Sequence, residues 1–354
     1  MQEIIVQLAD TIRSAAAHGT PLCIRSGGSK DFYGGPLRGE SFSVAAYRGI
    51  VDYEPSELVM TARAGTPLVE IETALHDRGQ MLAFEPPHYG PRATLGGCIA
   101  AGLSGPRRAY AGAARDTLLG VRMLDGKADD LRFGGQVLKN VAGFDVSRLL
   151  AGSLGTLGVM LELSLKVLPV PVAEATLVFE QTAADAIATM NAWAGKPLPL
   201  SATAWHDGKL YVRLSGAAAA VAAATKILGG ERLDETTTQR YWQDIREQSA
   251  AFFKTQLPLW RLSLKPTTPP LNLPGTQLLE WNGALRWLVT DADAEAVRGA
   301  AKFGGGHATL FRGGDKSSGV FQPLPPALMT IQRNLKRTFD PAGIFNPGRL
   351  YLDI

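Results

Sequence analysis

Three glycine-rich loops in the first 160 residues constrain this chain more than any other feature of its sequence. Arg25-Ser-Gly-Gly-Ser-Lys30 follows an apolar strand, Thr94-Leu-Gly-Gly97 opens a helix of small residues, and Gly152-Ser-Leu-Gly-Thr-Leu-Gly158 leads into another strand. Glycine lets a ligand lie directly against the backbone, whose N–H groups can then bind an anion. One such loop is typical of a tight turn. Three in one half of a chain predict an extended, phosphate-bearing cofactor.

Each loop also leaves alternatives open. Arg25 and Lys30 add positive charge to the first loop, and Thr94 can cap the helix that the second loop opens. The two glycines of the second loop are equally typical of close packing between a helix and a strand. The sequence contains neither a Gly-Lys-Ser/Thr phosphate loop nor a Gly-x-Gly-x-x-Gly fingerprint. The common nucleotide-binding folds with those signatures are therefore excluded.

Length and composition narrow the class of protein. A chain of 354 residues predicts two domains that share a cleft. The net charge is +3 with no block of Lys or Arg, which argues against nucleic-acid binding. The two cysteines, Cys23 and Cys98, lie far apart, so we expect buried thiols and no zinc site, iron–sulphur cluster or disulfide.

The same features predict where the protein works. The first 19 residues place apolar side chains at helical spacing among Glu3 and Asp10, which indicates an amphipathic helix and not a signal peptide. The longest apolar run, 217–224, is too short to cross a bilayer. We expect a cytoplasmic protein without direct membrane insertion, whose contact with the inner membrane, if any, is peripheral and made through a partner.

The pattern of elements changes near Pro169-Val-Pro171. Before it, short strands alternate with helices. After it, Asp207-Gly208 and Asn282-Gly283 stand between alternating apolar runs, which predicts two hairpins. The second half is therefore predicted to form an antiparallel sheet with helices on one face, and the predicted fold class is α+β.

Five motifs in this order resemble the FAD-linked oxidase family of the vanillyl-alcohol-oxidase type. They are the three glycine-rich loops, Lys139-Asn-Val-Ala-Gly-Phe-Asp145 and Phe339-Asp-Pro-Ala-Gly-Ile-Phe-Asn-Pro-Gly348. The resemblance covers the whole chain. It implies a two-lobed PCMH-type FAD-binding domain (1–171), an antiparallel-sheet α+β cap domain (172–322) and a C-terminal segment (323–354) that returns to the first domain.

The resemblance also implies which residues bind FAD. The first loop would hold the pyrophosphate, the third would pack around the adenosine, and the residue after the terminal motif would approach the flavin. The expected contacts are Arg25, Ser26, Gly27, Gly28, Ser29, Lys30, Pro86, Thr94, Gly96, Gly97, Gly105, Gly112, Gly155, Thr156, Gly158, Val159 and Arg349. Family members with covalent flavin commonly carry a His where this chain has Ser29, so we expect non-covalent FAD.

Within the family, Gly105-Pro-Arg-Arg108 and Glu280-Trp-Asn-Gly-Ala-Leu-Arg-Trp287 resemble the FAD-binding subunits of glycolate oxidases. Such a subunit takes part in oxidising glycolate, a small 2-hydroxy acid, to glyoxylate and passes electrons on. The resemblance implies two partners, a larger FAD-linked glycolate oxidase subunit that bears a metal motif and an iron–sulphur subunit. The metal motif of the related dehydrogenases is missing here, because His206 and His307 are isolated. We therefore expect no metal site in this chain.

Oxidation of a hydroxy acid requires a cation for the carboxylate and a group that accepts the hydroxyl proton. The candidates in the second half are Arg286, His307 and Arg312, with a structural role left open for Arg286. Three alternative functions also stay open. The chain could oxidise the substrate unaided, relay electrons without a substrate site, or serve as a structural subunit.

Overall fold

The structure is a computed structural model that describes residues 1–135 and 145–354. Of the Lys139-to-Asp145 motif, only Asp145 falls within the described residues. Within these residues, the strands of the first half are β1 (Leu22–Arg25), β2 (Glu40–Ser43), β3 (Ile50–Glu54), β4 (Val59–Arg63), β5 (Gln80–Met81), β6 (Leu118–Leu124), β7 (Asp130–Gly134), β8 (Val159–Lys166) and β9 (Leu168–Pro169). Its helices are α1 (Gln2–His18), α2 (Leu68–His76), α3 (Leu95–Ala101), α4 (Arg108–Ala111), α5 (Ala114–Thr117) and α6 (Ser147–Leu150).

These strands form three sheets in the first half. β3, β4, β8, β6 and β7 make a five-stranded antiparallel sheet in that order, β1 and β2 pair in parallel, and β5 pairs with β9. α2 and α3 bury Leu68, Ile71 and Cys98 in the core of the larger sheet, while α1 packs with β1 and β2 in a second core. The first half therefore has two lobes, each with its own apolar core.

The second half is built on one eight-stranded sheet in which every pairing is antiparallel. The strand order is β13-β10-β12-β11-β15-β16-β14-β17. The strands are β10 (Ala173–Glu180), β11 (Leu200–His206), β12 (Lys209–Gly216), β13 (Glu231–Arg232), β14 (Leu259–Ser263), β15 (Thr276–Glu280), β16 (Leu285–Val289) and β17 (His307–Arg312). The helices are α7 (Ala183–Ala194), α8 (Ala218–Leu228), α9 (Glu235–Glu247), α10 (Ala294–Phe303) and α11 (Pro326–Phe339). The α+β class and the antiparallel second sheet are confirmed.

The two faces of this sheet have different neighbours. Cross-strand partners share a face, and so do residues two apart on one strand. The outer face, which carries Leu279, Leu288 and Leu310, is covered by α7, α8 and α10. The inner face, which carries Trp287 and Phe311, packs against the first half of the chain. The inner face is therefore where a site shared by the two halves can form.

Both predicted hairpins are present. Asp207 and Gly208 have φ of 52° and 75° and join β11 to β12, as a type I′ turn requires. The second turn is wider than the two residues expected, because Trp281, Asn282 and Gly283 have φ of 54°, 59° and 88° between β15 and β16. A buried Trp in the left-handed region is rare and costs conformational energy. Its surroundings must therefore hold it in place.

The C-terminal segment crosses back to the first half. Leu22 N–H donates to the carbonyl of Ile344, and Asn346 N–H donates to the carbonyl of Leu22. The Lys336 ammonium donates to the carbonyls of Thr156 and Phe345 at 2.9 and 2.7 Å. The chain changes from one sheet system to the other between β9 and β10, close to the predicted boundary at residue 171, although the domain limits themselves stay a prediction.

Candidate functional site

The three glycine-rich loops converge on one groove. It consists of two adjoining cavities between β1, the start of α3 and the turn before β8. Of the residues predicted to bind the cofactor, eleven from the three loops line it. They are Arg25, Ser26, Gly27, Gly28, Ser29, Lys30, Thr94, Gly96, Gly97, Gly155 and Gly158. Arg349 also lines the first cavity, so the C-terminal segment completes the wall.

The first loop presents donors that have no partner in the protein. The Nε atom of Arg25 and the hydroxyl of Ser26 are buried and make no hydrogen bond to a described residue. The other end of the Arg25 guanidinium pairs with Asp31. Gly28 has φ of +70°, and a Cβ on Gly27 would lie 1.4 Å from the Arg92 carbonyl oxygen. Glycine is therefore required at both positions, and the orphan donors suit an anionic group of a ligand.

The second loop combines the two roles that the sequence left open. The Thr94 hydroxyl caps α3 by accepting from the N–H of Gly97 at 3.4 Å. A Cβ on Gly96 would lie 2.7 Å from the Cβ of Ala64, so Gly96 serves close packing of the helix. Gly97 is exposed towards the groove, and a Cβ there would meet only the Thr94 hydroxyl, at 3.3 Å. Gly97 thus keeps space free for a ligand.

The third loop depends on Asn346, which the sequence analysis quoted in a motif but did not select. Its side-chain oxygen accepts from the N–H of Ile24 at 2.7 Å, and its side-chain nitrogen donates to the carbonyl of Leu154 at 2.6 Å. Leu154 and Asn346 have φ of 51° and 41°. Such backbone conformations cost energy and persist only where the surroundings impose them. Asn346 therefore fixes the spacing between the first and third loops.

Two positively charged side chains, Lys30 and Arg349, line the groove and differ in their hydrogen-bond partners. The Lys30 ammonium is 3.3 Å from the His88 carbonyl and 3.4 Å from the Ser29 hydroxyl. Burial lowers the pKa of Lys30, since the charged form loses its hydration. The Arg349 guanidinium donates to the carbonyls of Asp31, Tyr33 and Gly35. Lys30 is therefore available to a ligand, whereas Arg349 mainly holds the loop that follows the first glycine motif.

Five predicted cofactor residues lie outside the two cavities of the groove. The Thr156 hydroxyl donates to the Ser153 carbonyl at 2.8 Å, and Val159 is fully buried in β8. Gly105 packs against Glu85 and accepts from the indole N–H of Trp281 at 3.0 Å. Pro86 and Gly112, which ends α4 at φ of +89°, also do not line the groove. Their contact with a cofactor stays a prediction.

The groove fits an elongated dinucleotide. Its length spans three loops, its glycines leave backbone accessible, and the unpartnered Ser26 hydroxyl and Arg25 Nε atom, together with the Lys30 ammonium in its wall, suit a diphosphate. In the part of the chain that the structure describes, no cluster of three or more His, Cys, Asp or Glu side chains could hold a metal ion. Cys23 and Cys98 are buried free thiols, as expected.

The candidate substrate-binding residues of the second half lie on different faces of the eight-stranded sheet. Arg286 lies on the outer face, fully buried, and donates to the carbonyls of Gly283, Thr268 and Pro269. Burial lowers the pKa of Arg286 to about 10. Because its guanidinium is engaged by three backbone carbonyls on the face that points away from the first half, the geometry corrects the interpretation of Arg286 as a substrate clamp and favours the structural alternative.

The other two candidates lie on the side that faces the first half. His307 begins β17, and partial loss of hydration of its ring, followed by the charge of Arg261, lowers the pKa of His307. Arg312 stacks over Phe32 at 4.9 Å and donates to Gln248 at 2.7 Å. Phe32 lies two residues after the first glycine loop, which places Arg312 close to that loop.

The structure adds two residues that the sequence analysis did not select for this face, Arg261 and Glu280. Arg261 lies on β14, a strand that the pattern analysis did not predict, and faces inward beside Trp287. Glu280 ends β15 and was quoted only as part of a motif. Burial raises the pKa of Glu280 to about 7, and the indole N–H of Trp287 donates to its Oε1 at 2.7 Å.

A two-lobed α+β domain with a dinucleotide groove, closed by an antiparallel cap, defines an FAD-linked flavoprotein oxidoreductase, and comparison with known proteins agrees. Residues 5–134 match the family described as FAD binding domain. The chain is 47% identical over 347 residues to the glycolate oxidase subunit GlcE of Escherichia coli, covering 98% of this chain and 97% of that protein. This chain belongs to the family of that subunit. FAD is its cofactor.

More distant relatives match part of the chain or the fold alone. The glycolate oxidase subunit GlcD of Bacillus subtilis is 28% identical over 200 residues, covering 54% of this chain and 42% of that protein. The structure of p-cresol methylhydroxylase with substrate bound superimposes with a TM-score of 0.73 at 14% identity, over 99% of this chain and 87% of that one. This likeness confirms the PCMH-type fold. Among the described residues, no helix is both long and apolar enough to pass through a bilayer.

Proposed function

We propose that this chain is the FAD-binding subunit of a glycolate oxidase complex and that it takes part in oxidising glycolate to glyoxylate. The observation that carries the proposal is the convergence of three glycine-rich loops on one groove beside the inner face of the cap sheet. The similarity to GlcE over nearly the whole of both chains supports the substrate. The class of reaction is then transfer of two electrons from a 2-hydroxy acid to FAD.

The residues of the groove would have distinct roles in binding the cofactor. The first loop and Lys30 would bind the diphosphate, with the Ser26 hydroxyl and the Arg25 Nε atom as further donors. Gly97 and Gly155 would let the cofactor lie against backbone, and Asn346 would hold the loops at the required spacing. Bound FAD would supply the electron acceptor. Ser29 is compatible with a cofactor held without a covalent bond.

Electrons must leave the subunit for another carrier. The chain has two buried cysteines and cannot hold an iron–sulphur cluster itself. The relatives GlcE and GlcD are both named as subunits of a glycolate oxidase. We therefore propose a complex with a larger FAD-linked subunit and an iron–sulphur subunit, assembled in the cytoplasm or peripherally at the inner membrane.

The test compares the single chain with the reconstituted complex by stopped-flow absorbance. Glycolate is mixed anaerobically with each, and bleaching of the flavin band is followed. We expect the complex to bleach within its turnover time and the FAD-loaded single chain to bleach far more slowly, because the metal motif of the related dehydrogenases is missing here. Bleaching of the single chain at the rate of the complex would contradict the dependence on partners. A complex that does not respond to glycolate would contradict the substrate.

A further inference from the structure

Two arginines from different halves of the chain share one aromatic ring. The guanidinium carbon of Arg108, on α4, lies 4.4 Å from the ring centre of Trp281, and that of Arg261, on β14, lies 5.3 Å from the same centre. Stacking on Trp orients a guanidinium and leaves its N–H donors free at the edge. The positive charge of Arg261 lowers the pKa of Arg108, after burial. Two cations are thus held close to each other at the interface.

Neither arginine has a partner that would neutralise it. Among the described residues, no carboxylate lies within 4.0 Å of either guanidinium, and neither donates a hydrogen bond. Asp116 is the carboxylate whose charge acts on Arg108, and its own oxygens are occupied by Arg115 and by the Ala113 N–H. Both side chains are partly buried, and burying an unpaired charge costs free energy. This pair therefore has unfilled capacity for an anion.

The arginine pair adjoins the cofactor groove. Trp281 belongs to the same apolar cluster as Ala101 and Leu154, which line the groove, and as Tyr33, which follows the first glycine loop. Its indole N–H is fixed by the Gly105 carbonyl at 3.0 Å, and its backbone has φ of 54°. The strained turn thus places the ring, and with it both guanidinium groups, between the groove and the cap sheet.

Polar groups without hydrogen-bond partners belong to the same part of the interface. Trp287 occupies one carboxyl oxygen of Glu280, and the other oxygen has no hydrogen bond to a described residue. The hydroxyl of Tyr241, whose side chain packs against the cluster that contains Trp281, is buried and unpartnered. Arg261 is the cross-strand partner of Trp287, and its charge acts on Glu280 and on the hydroxyls of Tyr33 and Tyr89. A ligand bound by the two arginines would therefore also be subject to the charge of the Glu280 carboxyl.

We propose that Arg108 and Arg261 bind the carboxylate of a small organic acid, so that this subunit has an anion site of its own. We expect a carboxylate of only a few carbon atoms, because the pair lies against the apolar cluster that holds the packed rings of Trp281, Trp287 and Tyr33. The planar guanidinium groups match the two oxygens of a carboxylate. This inference rests on the proposed function for the identity of the acid, but not for the existence of the site.

Oxalate is the probe, since it is a small carboxylate that cannot be oxidised by loss of a hydride. The purified, FAD-loaded chain is titrated with oxalate by isothermal titration calorimetry, with tryptophan fluorescence as a second readout. Arg261→Gln and Arg108→Gln are expected to weaken binding at least tenfold. The exposed Arg240→Gln is the matched control and should bind as the native chain does. FAD content and thermal unfolding show that each variant is folded.

Conservative variants distinguish loss of the charge from loss of the planar guanidinium group. Arg261→Lys retains the charge without the planar fork, and we expect it to recover part of the lost affinity. If Arg261→Gln does not retain FAD, then Arg261→Lys and Trp281→Phe are compared, and both should weaken oxalate binding while FAD remains bound.

The outcomes separate the two proposals. Three results would each overturn the carboxylate site. The first is equal oxalate affinity in the native chain and the arginine variants, and the second is no oxalate binding by the folded native chain. The third is tighter binding of inorganic phosphate than of oxalate. In the reconstituted complex, Arg261→Gln should raise KM for glycolate more than it lowers kcat. Arginine-dependent oxalate binding in a complex that ignores glycolate would leave the site intact and contradict the proposed function.

Discussion

Arg213 and Glu85 form a buried ion pair between the two halves of the chain, with 2.8 Å between Nη2 and Oε1. Arg107 reaches the same carboxylate and extends the network to Glu174 at 2.6 Å. Burial by itself would raise the pKa of Glu85, but the charges of Arg213 and Arg107 outweigh it and hold the pKa below its ordinary value. The network therefore ties the cap to the loop that leads into the groove.

Replacing Arg213 by Met should lower the free energy of unfolding by roughly 3 kcal/mol, because Glu85 would keep a buried charge with one fewer partner. Urea unfolding at neutral pH measures the change, with the exposed Arg240→Met as control. The folded-state pKa of Glu85 is depressed, so its contribution is present above the ordinary carboxyl pKa and is lost as the pH falls through the folded value. The difference between native and Arg213→Met should therefore shrink in acid. A loss no larger than that of the control would refute the role of the pair.

Replacing Gly97 by Val should abolish FAD binding while the protein stays folded. The new Cβ would lie 3.3 Å from the Thr94 hydroxyl, a close contact with one side chain, and the rest of the side chain would occupy the groove. Gly299→Val in α10 is the matched control for a helical Gly→Val change, since nothing lies within 4 Å of a Cβ at that position. Flavin absorbance after gel filtration measures the FAD retained. Stoichiometric FAD in folded Gly97→Val protein would show that the cofactor does not run past this helix start.

Replacing Asn346 by Ala should weaken FAD binding about tenfold and lower the free energy of unfolding by roughly 2 kcal/mol, since two hydrogen bonds to Ile24 and Leu154 are lost. Titration of the apoprotein with FAD, followed by flavin fluorescence, gives the affinity. Asn334→Ala, on the exposed side of α11, should leave both quantities unchanged. Unaltered FAD affinity in Asn346→Ala would contradict the proposed spacing of the loops.

Acid precipitation should release all of the flavin as FAD, because Ser29 stands where covalently flavinylated relatives carry a His. The supernatant and the washed pellet are compared by absorbance and by chromatography against FAD. Yellow colour that stays in the pellet would indicate a covalent bond elsewhere in the chain.

Replacing Glu280 by Gln should remove a pH dependence of stability. Burial raises the pKa of Glu280 to about 7 from 4.5, while Trp287 and Arg261 lower it and Glu85 raises it. Tyr89 and Tyr241 also face this carboxyl. The folded state holds the proton more tightly than the unfolded state, so ionisation destabilises the fold between about pH 4.5 and 7 and adds nothing further above that range.

The free energy of unfolding of Glu280→Gln should therefore exceed that of the native protein by an amount that grows from pH 5 to about 7 and then levels off, at roughly 3 kcal/mol at most. The amide keeps the acceptor for the Trp287 N–H, so the comparison isolates the ionisation. Urea unfolding at pH 5, 6, 7 and 8 gives the two profiles. Parallel profiles would mean that Glu280 titrates normally.

Local chemistry made much of the fold predictable. Glycine at positions of positive φ, the Thr94 cap and the Asp207-Gly208 turn act within a few residues, so the three loops and both hairpins were recognisable from sequence. β14 was missed, because Leu259–Ser263 lacks a clear apolar–polar alternation. α9 was missed as well, and its placement on the inner face depends on Trp242 and Ile245 contacting distant strands.

The sequence by itself determined the cofactor loops, the antiparallel cap and the family, since each rests on short motifs with their own conformational preferences. Only the tertiary structure decided which side chains meet. Strand register turned Arg286 to the outer face, and the packing of α4 on the cap brought Arg108 to the same ring as Arg261. A contact across more than 150 residues depends on how two apolar cores dock, and no local pattern encodes that.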